Sequence, residues 1–365
     1  MRIVYLLTSL GVGGAERQAL SVAARMAGRG HEVAVLVLRP RLSEQWPTGL
    51  PTVHLEMRRN PASVLASLVR GRRFLREFRP DLVHSHSFHA NFVARLLKLV
   101  APEPVVLSTV HNVYEGGWPR MLAYRLTDGL SQRTTAVSEA AARRFVRVGA
   151  VPVPKCLVVP NAIESAEFIP DAQRRREMRA RMRVDGEFVW LAAGRIMPAK
   201  DYPTLLGAFA RVYAARPEVR LWIAGEGEPL RVLTAELGLD GCVAWLGLRR
   251  DMTALLDAAD GLVLSSAWEG MPLAVAEAMA MEKPVVATDV GGVRELMGGT
   301  NAVVPCRDPA ALAAAMLNVM MQPAAGRLAL GHAARARIVD RFDMDARAAE
   351  WEEIYRGLLQ GHAKL

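Results

Sequence analysis

The sequence predicts an α/β protein made of two doubly wound parallel sheets in tandem. Three observations carry that prediction. Short apolar runs alternate with helical patterns along most of the 365 residues, as strands buried on both faces alternate with their covering helices. The alternation pauses near 159–183 and then restarts, giving two series. The length is that of about two domains at roughly 100–200 residues each.

In the first series, runs at 3–7, 33–38, 82–84, 105–109 and 134–137 read as buried strands, with helices at 15–28, 61–78, 91–98 and 140–148. In the second, strands are expected at 189–193, 220–224, 243–246, 261–264, 285–288 and 302–304, with helices at 202–214, 253–258, 273–280 and 310–321. The interdomain linker is expected in Val159-Pro160-Asn161-Ala162 and the polar, arginine-rich stretch 171–183. The domains are then 1–165, joined by 343–365, and 166–342. In the last segment, Asp343 and Asp345 read as caps of a helix carrying Trp351, Ile354, Tyr355, Leu358 and Leu359 on one face. So large an apolar stripe needs a surface to cover, and the first domain is the expected one.

A composition of 51% hydrophobic and 23% charged residues excludes a disordered or fibrous chain. Three cysteines, Cys156, Cys242 and Cys306, are too few and too far apart for a disulfide framework or a zinc site, and fit a reducing compartment. No apolar run reaches the roughly 18 residues of a transmembrane helix. The opening run ends in a glycine turn with no small-residue cleavage site, so it reads as a strand rather than a signal peptide, and a cytoplasmic location is expected. The net charge of +9 is uneven: residues 1–165 hold 22 Lys and Arg against 11 Asp and Glu, the remainder 24 against 26. The basic half predicts an anionic partner there.

Several segments carry chemistry. Gly11-Val12-Gly13-Gly14-Ala15-Glu16 follows the first strand. Glycines let a phosphate approach a helix N-terminus, but a strand-to-helix turn reads equally well, and Glu16 stands where a dinucleotide fingerprint wants its third glycine. Arg195 and Lys200 follow the first strand of the second series, two cations suited to a diphosphate or to a solvated loop. Glu269-Gly270-Met271-Pro272-Leu273 leads into a helix in which Glu277 is a carboxylate among apolar residues, costly unless hydroxyls or amides pair with it. His111 follows the strand at 105–109, and His84, His86 and His89 cluster at another strand end.

Together these segments resemble the GT-B-fold glycosyltransferases of the retaining family 4. The resemblance covers nearly the whole chain in order: 11–16, Val-Pro-Asn-Ala-Ile at 159–163, Gly-Arg at 194–195 with Lys200, Ala-Gly-Glu-Gly at 224–227, Trp-Leu-Gly at 245–247, Glu269 through Glu277, 288–295, and the terminal aromatic helix. It implies two Rossmann-like domains facing a cleft, with the terminal helix crossing back to the first. It implies a nucleotide diphosphate sugar, UDP- or GDP-linked, held mainly by the second domain. Arg195 and Lys200 would hold the diphosphate, Glu277 the ribose hydroxyls and Glu269 the transferring sugar. Gly270, Met271, Pro272 and Leu273 would cradle that sugar, and Leu246 would sit near the base. Gly13 and Gly14 would border the phosphate, and His111 would face the sugar. The only Asp-x-Asp, at Asp343 and Asp345, caps a helix, so no metal or other cofactor is expected.

The resemblance to bacterial surface-polysaccharide enzymes implies a lipid-linked or polysaccharide acceptor in lipopolysaccharide, O-antigen or capsule synthesis. A soluble sugar-metabolite transferase shares the donor site and is the alternative; a non-enzymatic sugar-binding protein is a remote one. Arg70, Arg72, Arg73 and Arg76 lie in an amphipathic helix, either a core helix with a solvated arginine face or one seated on anionic lipid at the inner face of the membrane. The basic stretches lack interleaved aromatics, so nucleic acid is not expected.

Overall fold

Seven strands form the first sheet: β1 (Arg2–Leu7), β2 (Glu32–Val37), β3 (Thr52–His54), β4 (Leu82–His86), β5 (Val105–Val110), β6 (Arg133–Ala136) and β7 (Cys156–Val158). Six form the second: β8 (Phe188–Ala193), β9 (Val219–Ala224), β10 (Val243–Gly247), β11 (Gly261–Leu264), β12 (Val285–Thr288) and β13 (Ala302–Val304). The computed structural model describes residues 1–11, 13–41 and 48–362. All pairings between the named strands are parallel. The orders are β3-β2-β1-β4-β5-β6-β7 and β10-β9-β8-β11-β12-β13. Each is doubly wound, as predicted: the strand order reverses between β1 and β4 in one sheet and between β8 and β11 in the other. The two units are Met1–Ala162 with Met344–Leu365, and Ile163–Asp343.

The central strands are apolar on both faces because helices cover both. Beneath β1 and β4, Ile3, Tyr5, Val22 and Met26 pack with Trp351 and Tyr355; on the opposite face Val4, Leu6, Val83 and Leu97 form a separate core. In the second unit, Trp190, Phe209, Leu221 and Met316 are fully buried in one cluster.

The terminal helix Met344–His362 belongs to the first unit. It buries Met344, Ala348, Trp351 and Tyr355 in the core of that unit. Each large side chain so buried contributes about 1.5–3 kcal/mol. Glu352 pairs with Arg29 at 2.6 Å and His31 at 3.0 Å, and Asp345 with Arg25 at 2.5 Å. Residues 363–365, the end of the expected segment, lie outside the described residues.

Some expectations are corrected. Strands β3 and β7 were not predicted: each is three residues long and lies at a sheet edge, and β3, Thr-Val-His, makes no apolar run. The stretch 171–183 is not a linker. It holds a helix, Ala172–Arg181, capped by Asp171. That helix buries only Met178, but Arg175 donates to Asp260 at 2.6 Å and Arg174 pairs with buried Asp257, so ion pairs rather than an apolar face anchor it. The units meet between Ala162 and Ile163, earlier than the expected boundary after 165.

Candidate active site

In an open α/β sheet, ligands bind outside the carboxyl ends of the strands at the point where strand order reverses. In the second unit that point lies between β8 and β11. Lys200 sits on a short turn, Pro198–Lys200, beyond β8; Glu269 sits in the loop beyond β11. Two hydrogen bonds join these segments: Ala267 N–H to the Ala199 carbonyl at 2.8 Å, and Ser265 Oγ to the Lys200 carbonyl at 2.8 Å. Asp201, at φ +48°, caps the next helix through Thr204. The Glu269 loop is tied to the loop after β12 by Gly292 N–H to the Gly270 carbonyl at 2.7 Å, and by Thr288 Oγ1 to the Ser266 carbonyl at 2.7 Å.

These ties bring Lys200 Nζ to 2.5 Å from Glu269 Oε1, and the same oxygen accepts from Ser266 Oγ at 2.7 Å. Glu269 is only 8% exposed. A buried charge of this kind is tolerated because it is both paired and hydrogen-bonded. Burial, and next the Glu269 charge, raise the Tyr202 hydroxyl above its usual range; it donates to the Gly194 carbonyl at 2.7 Å.

Two glycines make the crowding possible. A Cβ on Gly225 would stand 1.9 Å from the Gly194 carbonyl oxygen. Gly291, at φ +54°, would drive a Cβ to 2.2 Å from the Glu269 carbonyl oxygen.

The other predicted residues of this unit fall at the same sheet edge. Arg195 is exposed, without a side-chain hydrogen bond or ion pair among the described residues. Leu246 sits at an irregularity near the end of β10 and is partly buried. Gly270, Met271 and Pro272 are buried, and Leu273 is half-buried. Pro272 occupies the N-cap of Leu273–Ala280, one place before the first helical position expected for it. Glu277 is buried in the second turn of that helix.

The first unit reverses its strand order between β1 and β4. Beyond β1, Val12 lies outside the described residues; Gly13 is the N-cap of the helix Gly14–Gly28, and Gly14 is exposed. Gly13 has an ordinary extended φ of −131°, so a left-handed turn is not its role. A Cβ there would meet Glu16 Oε2 at 2.3 Å, so it leaves room for that carboxylate.

Along the second half of β4 and just beyond β5 the histidines gather, except His89, which is exposed on the next helix. His84 lies between Tyr355 Oη and Thr109 Oγ1, at 2.7 Å from each, and Tyr355 Oη is 3.0 Å from Tyr5 Oη. His86 Nδ1 is 2.9 Å from His111 Nε2. Burial pushes His111 down to about 4; burial and then the neighbouring imidazoles hold His84 and His86 well below the usual histidine range. The His111 backbone N–H donates to Glu115 Oε1 at 2.8 Å, and Tyr124 Oη donates to Oε2 at 2.7 Å. Burial raises that carboxyl to about 7 against these bonds.

Sequence reasoning missed Ser266, Glu115 and Tyr355 as parts of these sites. Nothing local singled out Ser266 or Glu115, but the i, i+2 spacing of His84 and His86 puts both on one face of β4, a signal that was available. Among the described residues, no group of three or more His, Cys, Asp or Glu side chains is arranged to hold a metal. Asp345 pairs with Arg25, and Asp343 accepts from Ser165 Oγ.

The helix Pro61–Phe78 turns Ser67, Gly71 and Leu75 inward. Arg70, Arg72, Arg73 and Arg76 are all exposed, and Leu65 and Val69 earlier in the same helix are 64% and 61% exposed. Arg72 Nε donates to the Val100 carbonyl at 3.1 Å, which brings exposed Leu99 and Val100 beside the basic face.

Residues 12–167 match the family model described as Glycosyltransferase Family 4, and residues 187–322 the one described as Glycosyl transferases group 1. A D-inositol 3-phosphate glycosyltransferase of Segniliparus rotundus is 30% identical over 313 residues, 78% of this chain and 68% of that protein. The UDP-Gal:alpha-D-GlcNAc-diphosphoundecaprenol alpha-1,3-galactosyltransferase of Escherichia coli is 26% identical over 250 residues. That match covers 62% of each protein, so the chain spans less than two thirds of this relative. In fold, the chain is similar to Anabaena Alr3699/HepE in complex with UDP-glucose, with a TM-score of 0.85 at 21% identity over 98% of this chain and 100% of that one. Both units are thus Rossmann-like units of the GT-B class.

Proposed function

The chain belongs to the glycosyltransferases of group 1 and family 4, and on that premise we propose that it moves a sugar from a UDP- or GDP-sugar, with retention, to a lipid-linked or polysaccharide acceptor of cell-envelope glycan. The observation that carries the reading is the 2.5 Å contact of Lys200 with Glu269 at the strand-order reversal of the second unit. A cation for a diphosphate and a carboxylate for sugar hydroxyls are the two groups such a donor needs side by side.

On donor binding, Lys200 exchanges Glu269 for the diphosphate and Arg195 joins it. Glu269 then accepts from hydroxyls of the transferring sugar, and Glu277 from those of the ribose. Leu246 borders the base, and the backbone of Gly270–Leu273 lies along the sugar. Gly13 and Gly14 border the phosphate, and His111 meets a sugar hydroxyl. The C1–O bond to phosphate breaks as a C1–O bond to the acceptor forms on the same face, through an oxocarbenium-like state. The departing phosphate takes the acceptor proton, while Lys200 and Arg195 stabilise its growing charge.

The E. coli relative, whose name carries a diphosphoundecaprenol acceptor, supports a lipid-linked substrate. The exposed Leu65, Val69 and four arginines support seating on anionic lipid at the inner membrane face. The 30% identical inositol-phosphate enzyme supports the second reading, a soluble acceptor. No protein-held metal takes part in the proposed reaction.

The test incubates the purified chain with UDP- and GDP-sugars and, separately, polyprenyl-diphosphate sugars and soluble sugar phosphates. Transfer to the polyprenyl acceptor with the donor's anomeric configuration, read by proton NMR and unchanged by EDTA, is expected. Inverted product overturns retention, loss with EDTA overturns metal independence, and transfer only to soluble acceptors selects the second reading.

A further inference from the structure

The His86–His111 contact has a property that neither residue has alone. Burial keeps both rings neutral near pH 7, and a neutral imidazole carries one N–H. Nδ1 of His86 faces Nε2 of His111 at 2.9 Å, so one must donate and the other accept. If His86 donates from Nδ1, His111 must carry its proton on Nδ1. If His111 donates from Nε2, His86 must carry its proton on Nε2. The two rings therefore share the same tautomer. The remaining nitrogens, His86 Nε2 and His111 Nδ1, are enclosed and have no hydrogen-bond partner among the described residues. One is then an N–H and the other a bare acceptor, in either tautomer. Such unmet buried groups are rare in native proteins.

We propose that His86 is a positioning residue for His111, locking the pair in one shared tautomer and so fixing the ring that is proposed to face the sugar being transferred. The inference rests on the proposed contact of His111 with the donor sugar. The titratable groups facing the pair are His84 and Tyr5, whose rings lie 4.1 Å and 5.9 Å from that of His86, and Glu115, which takes the His111 backbone N–H.

Long-range proton–nitrogen NMR of the ring nitrogens, on the full chain at pH 7, tests the lock without any turnover. The expected spectrum has both histidines neutral and in the same tautomer. In His86→Leu, His111 becomes a tautomer mixture, and kcat falls about 10–100-fold with KM for the nucleotide sugar changed less than about threefold. His86→Asn, whose amide stands where Nδ1 stood, recovers most of both signals. Opposite tautomers, a charged ring at pH 7, or an unchanged His111 in the leucine variant overturns the proposal. Should the leucine variant not fold, the wild-type and asparagine spectra decide. A chain that binds no nucleotide sugar yet has the shared tautomer sinks the transfer reading while leaving the lock in place.

Discussion

The two units reverse their strand order in the same way, but they place opposite chemistry at that point. The second unit sets an ion pair there, Lys200 against Glu269, held by Ser266. The first sets neutral imidazoles, with His84 enclosed by hydroxyls and His86 paired to His111. One topology thus gives one address, and the side chains at the address decide whether it handles charge or hydroxyls. The difference also divides the proposed reaction: charge develops on the diphosphate, and the imidazoles meet a group that stays uncharged.

Lys200→Ala is the strongest way to break the comparison. If the charged site carries the chemistry, kcat falls by about 10²–10³-fold; near-normal turnover in a steady-state assay would falsify the assignment. Glu269→Gln sharpens it. Transfer should fall about tenfold or more, while free nucleoside diphosphate binds several-fold more tightly by calorimetry, because Lys200 no longer has a competing carboxylate. Weaker binding of UDP and GDP alike would show that the pair does not restrain Lys200.

The neutral site is probed by pH. Histidines with lowered values bind fewer protons folded than unfolded, so stability falls as pH drops below the unfolded value near 6.5. Glu115, raised to about 7 from 4.5, binds more protons folded, so its contribution falls as pH rises across that window and partly offsets the histidines below 6.5. In Glu115→Gln the offset is gone, and between pH 6.5 and pH 5 the melting temperature should drop by about 2–4 °C more than in wild type. Parallel curves would contradict that sign.

The smallest effect lies away from both addresses. Arg72→Glu with Arg76→Glu should reduce flotation with anionic vesicles, each arginine contributing about 1 kcal/mol, without changing transfer to a soluble acceptor. Equal recovery with neutral and anionic vesicles would remove the electrostatic part of the membrane reading.

The central strands were legible because burial on both faces leaves a continuous apolar run. Strand β3 was not, because Thr-Val-His makes no apolar run, and β7, apolar but only three residues long, was missed. The helix at Ala172–Arg181 escaped because its anchors, Asp257 and Asp260, lie far along the chain. Lys200 and Glu269 were recognisable by motif, whereas their direct contact needed two loops to be stitched together. Likewise His86 and His111 were visible as strand-end residues, but their pairing required β4 and β5 to be neighbours.

The terminal helix has a consequence for how the protein is made. Ile163–Asp343 is one continuous stretch, but the first unit is completed only by residues from Met344 onward. At about 5–20 residues per second, the ribosome needs roughly 10–40 s to pass from one to the other. Through that interval Tyr5 and His84 wait without Tyr355, and an apolar face that Trp351 will cover stands open. The half that begins synthesis first is therefore the half that finishes folding last, and it is the one a nascent-chain chaperone has most reason to guard.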